Sequence, residues 1–159
     1  MTSLILLPLQ VVLGQIVRGV ASRQPSLFDR LGRHCASTYI IDPVNLPIVL
    51  QLKPEARMPV LRAWWRGQAP KGDCRIAGSF LTLLSLVDGR RDGDALFFSR
   101  DLTVEGDIDA VVTLRNALDD LDVTLVQDIL GSSGPLRRPL EAVVRVFRSM
   151  DHPENRHAG

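Results

Sequence analysis

The most informative stretch of this chain is Asp94-Ala-Leu-Phe-Phe-Ser-Arg-Asp-Leu-Thr-Val-Glu-Gly-Asp107, and an apolar-periodic segment follows it as far as Leu121. Leu102 and Val104 alternate with polar neighbours, as in a strand that buries one of its faces. This alternation predicts a short strand over residues 101–105.

A helix is predicted directly after this strand. Gly106 permits a sharp turn, and Asp107 can accept hydrogen bonds from the first backbone N–H groups of a helix. The apolar residues that follow recur at spacings of three and four, so they form one continuous helical face: Val111, Leu114, Leu118 and Leu121. The strand and this face together predict one wall of an apolar compartment.

The composition is that of one globular domain. The 159 residues are 45% hydrophobic and 23% charged, and 19 basic residues against 18 acidic ones leave a net charge of +1. This balance lacks the basic field that nucleic-acid binding needs, so no nucleic-acid partner is expected. Cys35 and Cys74 belong to no CxxC or Cys/His cluster, so we interpret both as buried thiols in a reducing cytoplasm. No uncharged run reaches the roughly 20 residues of a membrane-spanning helix.

Two helices are predicted before the sheet. The first has an apolar stripe at helical spacing, formed by Leu9, Val12, Leu13, Ile16, Val17 and Val20. Two interpretations stay open: a helix packed on the domain, or an interfacial helix that lies on lipid or on a partner. Arg18 and Arg23 supply little positive charge for the second. Ser26 is the expected N-cap of a second helix over residues 27–35.

Three strands are expected to form an antiparallel meander after chain breaks at Asp42-Pro43 and Leu46-Pro47. Their predicted ranges are 48–53, 58–65 and 73–77. A helix over residues 80–87 and a last helix that begins near Pro139 complete the prediction. The expected fold is therefore α+β, a single largely antiparallel sheet of about four to five strands that helices cover.

The expected domain organisation has three parts. Residues 1–43 form an N-terminal helical segment packed on the domain, residues 44–150 form the main domain, and residues 151–159 form a flexible tail.

The sequence offers little for catalysis. His34 is the one histidine outside the C-terminal tail, and the neighbouring Cys35 would leave a helix in a different direction. Asp119, Asp120 and Asp122 lack the ligand alternation and the glycine of a calcium loop. No glycine-rich phosphate-binding motif occurs. We therefore expect no enzyme activity, no cofactor and no metal site.

Two pairs of adjacent aromatic residues allow two interpretations each. Trp64 and Trp65 occupy consecutive strand positions, so their side chains point to opposite faces. Either Trp65 fills the core and Trp64 covers the sheet edge, or one of them lines the mouth of a ligand cavity. Phe97 and Phe98 allow the same two interpretations, packing in the core or lining a ligand cavity.

The order of these motifs resembles the sterol carrier protein type of lipid-binding domain. Ile76-Ala-Gly-Ser79, a leucine-rich helix, a Gly-Asp turn and Leu102-Thr-Val-Glu-Gly-Asp107 carry the resemblance, which covers residues 44–125. A narrower similarity over residues 94–114 is to a bacterial branch, the UbiT-like accessory factors of ubiquinone biosynthesis. It rests on Asp94, Leu96-Phe97-Phe98, Arg100, Leu102, Val104 and Glu105-Gly106-Asp107.

The resemblance implies a helix-covered sheet that encloses an apolar tunnel for a lipid tail, without catalytic residues. For the bacterial branch it implies a helper of oxygen-independent ubiquinone synthesis that holds polyprenylated quinone precursors. Its partners would be UbiU- and UbiV-like hydroxylation factors, which carry iron–sulfur clusters; this chain lacks the cysteines for one. The implied location is the cytoplasm, with peripheral contact at the inner membrane left open.

The expected lipid-contacting residues come from the strands and from the apolar helix faces. They are Leu61, Trp65, Leu81, Leu84, Phe97, Phe98, Leu102, Val104, Val111, Leu114 and Leu118. Arg100 is the candidate for a lipid head group, or else a surface arginine paired with Asp101 or Glu105. The alternative function is a non-enzymatic adaptor or general lipid carrier, whose groove binds another lipid or a partner helix.

Overall fold

A computed structural model describes residues 2–88 and 101–122, together with residues 124, 125 and 128. Three helices and one 3₁₀ turn precede the sheet: α1 (Thr2–Ile5), α2 (Leu7–Arg23), α3 (Ser26–Leu31) and the turn Gly32–Ala36. The strands are β1 (Tyr39–Pro43), β2 (Ile48–Lys53), β3 (Val60–Trp65), β4 (Cys74–Gly78) and β5 (Thr103–Gly106). Helix α4 (Phe80–Asp88) follows β4, and helix α5 (Ile108–Asp119) follows β5. The predicted α+β class is confirmed.

The five strands form one sheet in the order β3-β2-β1-β4-β5. Strands β1 and β4 run parallel, and the other three neighbouring pairs are antiparallel. The predicted three-strand meander is therefore wrong, because β4 pairs with β1 and β5 instead of following β3 across the sheet. The connection between β3 and β4 includes a 3₁₀ turn at Arg66–Gln68.

The sequence prediction missed the central strand β1. Asp42-Pro43 was interpreted as a break before the sheet, yet both residues belong to β1, and Pro43 pairs with Gly78 at its end. Asp42 is buried there because its carboxylate forms ion pairs with Arg66 and Arg75. An Asp-Pro pair is typical of a turn, but the two ion pairs allow Asp42 to lie buried in a strand. The sheet begins at Tyr39.

Helices cover one face of the sheet. The strand register places Tyr39, Leu52 and Cys74 side by side on that face. In the main core these strands pack against α3, α4 and α5; its buried residues include Leu27, Leu31, Tyr39, Ile76, Leu83, Val111 and Leu114. A second, smaller cluster lies where α2 meets β2 and β3, with Leu6, Leu13, Ile48 and Ala63. The apolar helix face predicted from Val111 onward is thus part of the main core.

The start of α5 agrees with the sequence prediction. The Asp107 carboxylate accepts a hydrogen bond of 3.1 Å from the backbone N–H of Ala110. Gly106 has a φ of +85°, and a Cβ atom there would overlap the carbonyl oxygen of Asp73. Glycine is therefore required at this turn, both for the positive φ and for the close approach of the backbone to Asp73.

The second predicted helix, over residues 27–35, begins and ends at different residues in the structure, where it is α3 (Ser26–Leu31). Pro25 occupies the N-cap and Ser26 is the first helical residue, without a side-chain capping bond. The fixed φ of proline suits a helix start, which moves the boundary by one residue. The α-helix ends at Leu31 because Gly32 takes a φ of +52°, and a 3₁₀ turn follows. The predicted helix near Pro139 and the predicted tail lie outside the described residues.

Candidate functional site

A groove of about 700 Å³ lies between α2 and the edge strand β3. This volume falls within the range of about 300–1,000 Å³ that is typical of small-molecule sites. Three segments line the groove: residues 6–18 of the N-terminal helices, the turn at 57–59, and β3 with Gln68. The groove is therefore built from parts of the chain that are distant in sequence.

The side chain of Gln10 attaches α2 to the edge of the sheet. Its Nε2 donates to the carbonyl oxygen of Ala63 at 2.7 Å, and its Oε1 accepts from the Ala63 N–H at 2.9 Å. The amide thus takes the place of a neighbouring strand at this point of the sheet edge. Leu6 at the N-cap of α2 and Leu13 within the helix pack beside it, against Ile48 and Ala63.

The floor of the groove is apolar, and both tryptophans of the chain line it. Leu61 and Trp65 lie on the helix-covered face and pack against the smaller cluster. Trp64 lies on the opposite face, where its Nε1 donates to Gln51 at 3.0 Å. The guanidinium of Arg62 lies 5.9 Å from the Trp64 ring centroid, in cation–π geometry. The groove thus combines aromatic area with satisfied polar atoms.

Three arginines line the groove: Arg18 from α2, Arg57 from the turn before β3, and Arg62 from β3. Within the part of the chain that the structure describes, no aspartate or glutamate lines it. An apolar floor with cationic groups suits an amphiphile whose polar end carries negative charge or strong hydrogen-bond acceptors.

The structure divides the predicted lipid-contacting residues into four groups. Leu61 and Trp65 line the groove. Five residues belong to the main core or pack against it: Leu102, Val104, Val111, Leu114 and Leu118. Leu81 and Leu84 lie on α4 and are 72% and 48% exposed. Phe97, Phe98 and the head-group candidate Arg100 lie outside the described residues. Lipid contact by any of these residues stays a prediction, and the described ones do not meet in one cavity.

Sequence reasoning missed three residues that shape the groove, Gln10, Arg57 and Met58. Gln10 lies outside the apolar stripe that predicts the first helix, and nothing local indicates that its amide reaches a strand. Arg57 and Met58 lie in a turn whose composition is ordinary. Only the approach of α2 to β3 gives these residues a common role.

Two buried ionisable side chains, Tyr39 and His34, are held by hydrogen bonds. The Tyr39 hydroxyl, whose pKa burial raises, lies 3.3 Å from the carbonyl oxygens of His34 and Ala110. Burial raises the pKa of the Cys74 thiol to about 11, which keeps it protonated at neutral pH. His34 Nε2 lies 2.9 Å from an Asp109 carboxylate oxygen. Across residues 2–88 and 101–122, no three His, Cys, Asp or Glu side chains cluster to hold a metal ion.

The comparisons with known proteins agree with this architecture. The model of the SCP-2 sterol transfer family matches residues 16–119. The chain superposes on a UbiJ-SCP2 ubiquinone synthesis protein with a TM-score of 0.54 and 22% identity, over 75% of this chain and 92% of that one. It superposes on a possible sterol carrier protein of Thermus thermophilus with a TM-score of 0.56 and 16% identity, over 79% and 90% of the two chains.

At these identities the two superpositions concern the fold alone. A search of curated protein sequences gives no significant match. The family match covers well over half of the residues and takes in all five strands and helix α5. The chain belongs to the SCP-2 sterol transfer family.

Proposed function

We propose that this protein is a non-enzymatic lipid-binding accessory factor of ubiquinone biosynthesis that holds polyprenylated quinone precursors in an apolar cavity. The observation that carries the proposal is the groove between α2 and β3, with its apolar floor, two tryptophans and three arginines. Membership of a sterol transfer family supports a lipid as the ligand.

The energetics suit a long isoprenoid tail. Each methylene-sized group that leaves water contributes about 0.8 kcal/mol, so an apolar groove can retain such a tail without specific bonds. The quinone or phenol head carries oxygen acceptors, which arginine side chains can bind. The tail would lie along Leu61 and Trp65, and the head would meet Arg18, Arg57 or Arg62.

The finer assignment is to a UbiT-like factor of the oxygen-independent pathway, working at the cytoplasmic side of the inner membrane with UbiU- and UbiV-like hydroxylation factors. The resemblance over residues 94–114 supports this branch. The shared fold with a UbiJ-SCP2 ubiquinone synthesis protein agrees with it. In this role the protein would present an insoluble precursor to enzymes in water.

A second function, an adaptor that binds a partner protein, is favoured by one observation on α4. Phe80, Leu81 and Leu84 expose 45%, 72% and 48% of their surfaces, and their spacing places Phe80 and Leu84 on one side of the helix. Exposed large apolar side chains at helical spacing are typical of helix-mediated docking.

Lipid extraction tests the proposal directly. The protein, purified from cells that make ubiquinone, should release a prenylated quinone or its precursor, identified by mass spectrometry. Since both tryptophans line the groove, added quinone should quench their fluorescence in proportion to occupancy. No co-purifying prenyl lipid together with no quenching would overturn the proposal.

Two matched variants locate the ligand. Leu61→Gln places a polar group in the groove and should lower quinone affinity, whereas Leu84→Gln on α4 should leave it unchanged. The opposite ranking would move the lipid site to α4. A delipidated protein that still forms a complex with a UbiU- or UbiV-like factor by size exclusion, and binds no quinone, would favour the adaptor function.

A further inference from the structure

Strand β3 presents a second hydrogen-bonding pair beside the one that Gln10 occupies. Ala63 turns its N–H and C=O away from β2, since both groups bond to the Gln10 amide. The pairing of β2 with β3 keeps one register from Val60 to Trp65, so backbone groups two residues apart point the same way. The N–H and C=O of Leu61 therefore also point away from β2, and Leu61 lines the groove.

Helix α2 satisfies Ala63 but offers nothing equivalent to Leu61. Positions on the same side of a helix lie three or four residues apart. One turn to either side of Gln10, these positions carry no hydrogen-bonding side chain: Leu6, Leu7, Leu13 and Gly14. In the part of the chain that the structure describes, no hydrogen bond joins the outward N–H or C=O of Leu61 to another residue. Both groups can therefore meet a ligand.

A strand of a partner protein is a poor fit at this point of the edge. Strand addition needs a row of outward donors and acceptors along the edge. Two residues before Leu61 the row reaches Pro59, which has no N–H. Two residues after Leu61 it reaches Ala63, whose groups are bonded to Gln10. The pair at Leu61 is thus one residue wide, which suits a small polar group.

The surroundings of this pair suit the polar end of an amphiphile. The side chain of Leu61 packs against the smaller cluster, while its backbone faces the groove. Helix α2, which forms the other wall, is not long and apolar enough to cross a bilayer, and neither is any other described helix. Small-molecule sites are mostly apolar, and a few backbone or side-chain polar groups fix the orientation of the ligand. An apolar tail can thus follow the floor while its polar end meets Leu61.

We propose that the N–H and C=O of Leu61, which we call the Leu61 subsite, bind a head group that carries a hydrogen-bond donor beside an acceptor. The Gln10 amide shows the fit, because its oxygen and nitrogen reach the same two groups of Ala63 at 2.9 and 2.7 Å. A phenolic hydroxyl beside a second oxygen has this arrangement. A ring that bears only carbonyl and methoxy oxygens offers acceptors alone, so it leaves the C=O of Leu61 without a donor.

This inference rests on the proposed function and specifies the class of ligand. The groove selects prenylated precursors that keep a free ring hydroxyl beside another oxygen, and it binds the fully substituted quinone more weakly. A ligand whose hydroxyl has been methylated loses the donor and with it the bond to the Leu61 C=O. The Leu61 subsite therefore distinguishes precursors from the finished product.

Three synthetic probes with the same farnesyl tail test this inference on the full chain. Farnesyl catechol and its monomethyl ether keep a hydroxyl beside a second oxygen, whereas the dimethyl ether carries acceptors only. Isothermal titration should give similar affinities for the first two and an about tenfold weaker affinity for the dimethyl ether. Equal affinity for all three would overturn the inference and leave the proposed function standing. Binding of none of them would overturn both.

Amide hydrogen exchange, resolved by nuclear magnetic resonance, locates the contact. Without a probe, the N–H of Leu61 should exchange faster than that of Ala63, which Gln10 holds. Farnesyl catechol should slow the exchange at Leu61 and leave Ala63 unchanged. Unchanged exchange at Leu61 with the probe bound would overturn the inference. So would protection of Leu61 that grows with protein concentration in the absence of a probe, because it would show that the edges of two copies pair.

Two variants serve as matched controls. Gln10→Ala removes the partner of Ala63, so the exchange of the Ala63 N–H should become as fast as that of Leu61. Leu61→Ala keeps the backbone groups and loses only side-chain contact. All three probes should therefore bind this variant more weakly, with the preference for the catechol over the dimethyl ether retained. Loss of that preference would assign the selection to the side chain and overturn the Leu61 subsite.

Discussion

The amide of Gln10 makes both hydrogen bonds that a neighbouring strand would offer to Ala63, at 2.7 Å to its carbonyl and 2.9 Å from its N–H. This one side chain terminates the sheet at its β3 edge and holds α2 over it. The same contact forms one wall of the groove. Stability of the edge and integrity of the candidate site are therefore coupled.

Replacing Gln10 by alanine should destabilise the protein by about 1–3 kcal/mol, because a backbone donor and acceptor lose their partners. The free energy of unfolding in urea measures this. Gln15→Ala is the matched control, since Gln15 is an exposed residue of the same helix. Gln10→Glu keeps the acceptor but sets a carboxylate oxygen against the Ala63 carbonyl oxygen, so it should destabilise the protein at least as much as Gln10→Ala. A Gln10→Ala loss no larger than that of Gln15→Ala would contradict the role assigned to the amide.

Replacing Asp42 by asparagine should destabilise the protein by about 3 kcal/mol, the low end for a broken buried ion pair. Its carboxylate lies 2.7 Å from Arg66 and 2.5 Å from Arg75, while both arginines remain partly in water. The hydrogen bond to Asp42 is the main cause that raises the pKa of the Arg75 guanidinium, although burial opposes it. Thermal unfolding, compared with the exposed Glu55→Gln variant, checks the prediction. Equal stability of the two variants would show that the ion pairs of Asp42 do not stabilise the fold.

Leu114→Ala separates core packing from lipid contact on α5. Leu114 is 3% exposed and belongs to the main core, so its truncation should cost about 2–5 kcal/mol of unfolding free energy. Quinone affinity, measured by tryptophan quenching under conditions where the variant is folded, should remain unchanged. A large loss of affinity with little loss of stability would place the lipid on α5, where the sequence pattern first predicts it.

Asp109 makes the stability of the fold depend on pH. Hydrogen bonds from Arg33 and then His34 lower the pKa of this carboxyl from its ordinary value of 3.8. A carboxyl group whose pKa is lower in the folded state stabilises the fold at pH values above its pKa in the unfolded state. This stabilisation is lost as the pH falls through the pKa of the group in the folded state. Asp109→Asn should therefore lower stability at pH 6, with a difference from the parent protein that disappears well below pH ~3.8. Urea midpoints of the parent and the variant, measured at pH 6 and in acid well below pH ~3.8, test this prediction. A difference in stability that persists or grows in acid would contradict it.

The amino-acid sequence alone was enough to predict the elements whose signals are local. Strand alternation predicted β2, β3 and β4 to within two residues at each end, and Asp107 with Gly106 predicted the start of α5. These signals depend on neighbours a few positions apart, so no knowledge of the rest of the chain is needed. The α+β class and the sterol-carrier resemblance follow from the order of such elements.

The pairing of these elements and the place where a ligand can lie were settled by tertiary contacts. The parallel pairing of β1 with β4 brings Asp42 to Arg75, 33 residues away, where the aspartate is buried. Asp42-Pro43 therefore lies in a strand, although its local sequence predicts a chain break. The groove depends on the contact of Gln10 with Ala63, which are 53 residues apart. The stretch 94–121 predicted one wall of an apolar compartment, whereas its described helix face packs into the core against α3 and the sheet. Contacts between distant residues decide burial, and no local pattern encodes them.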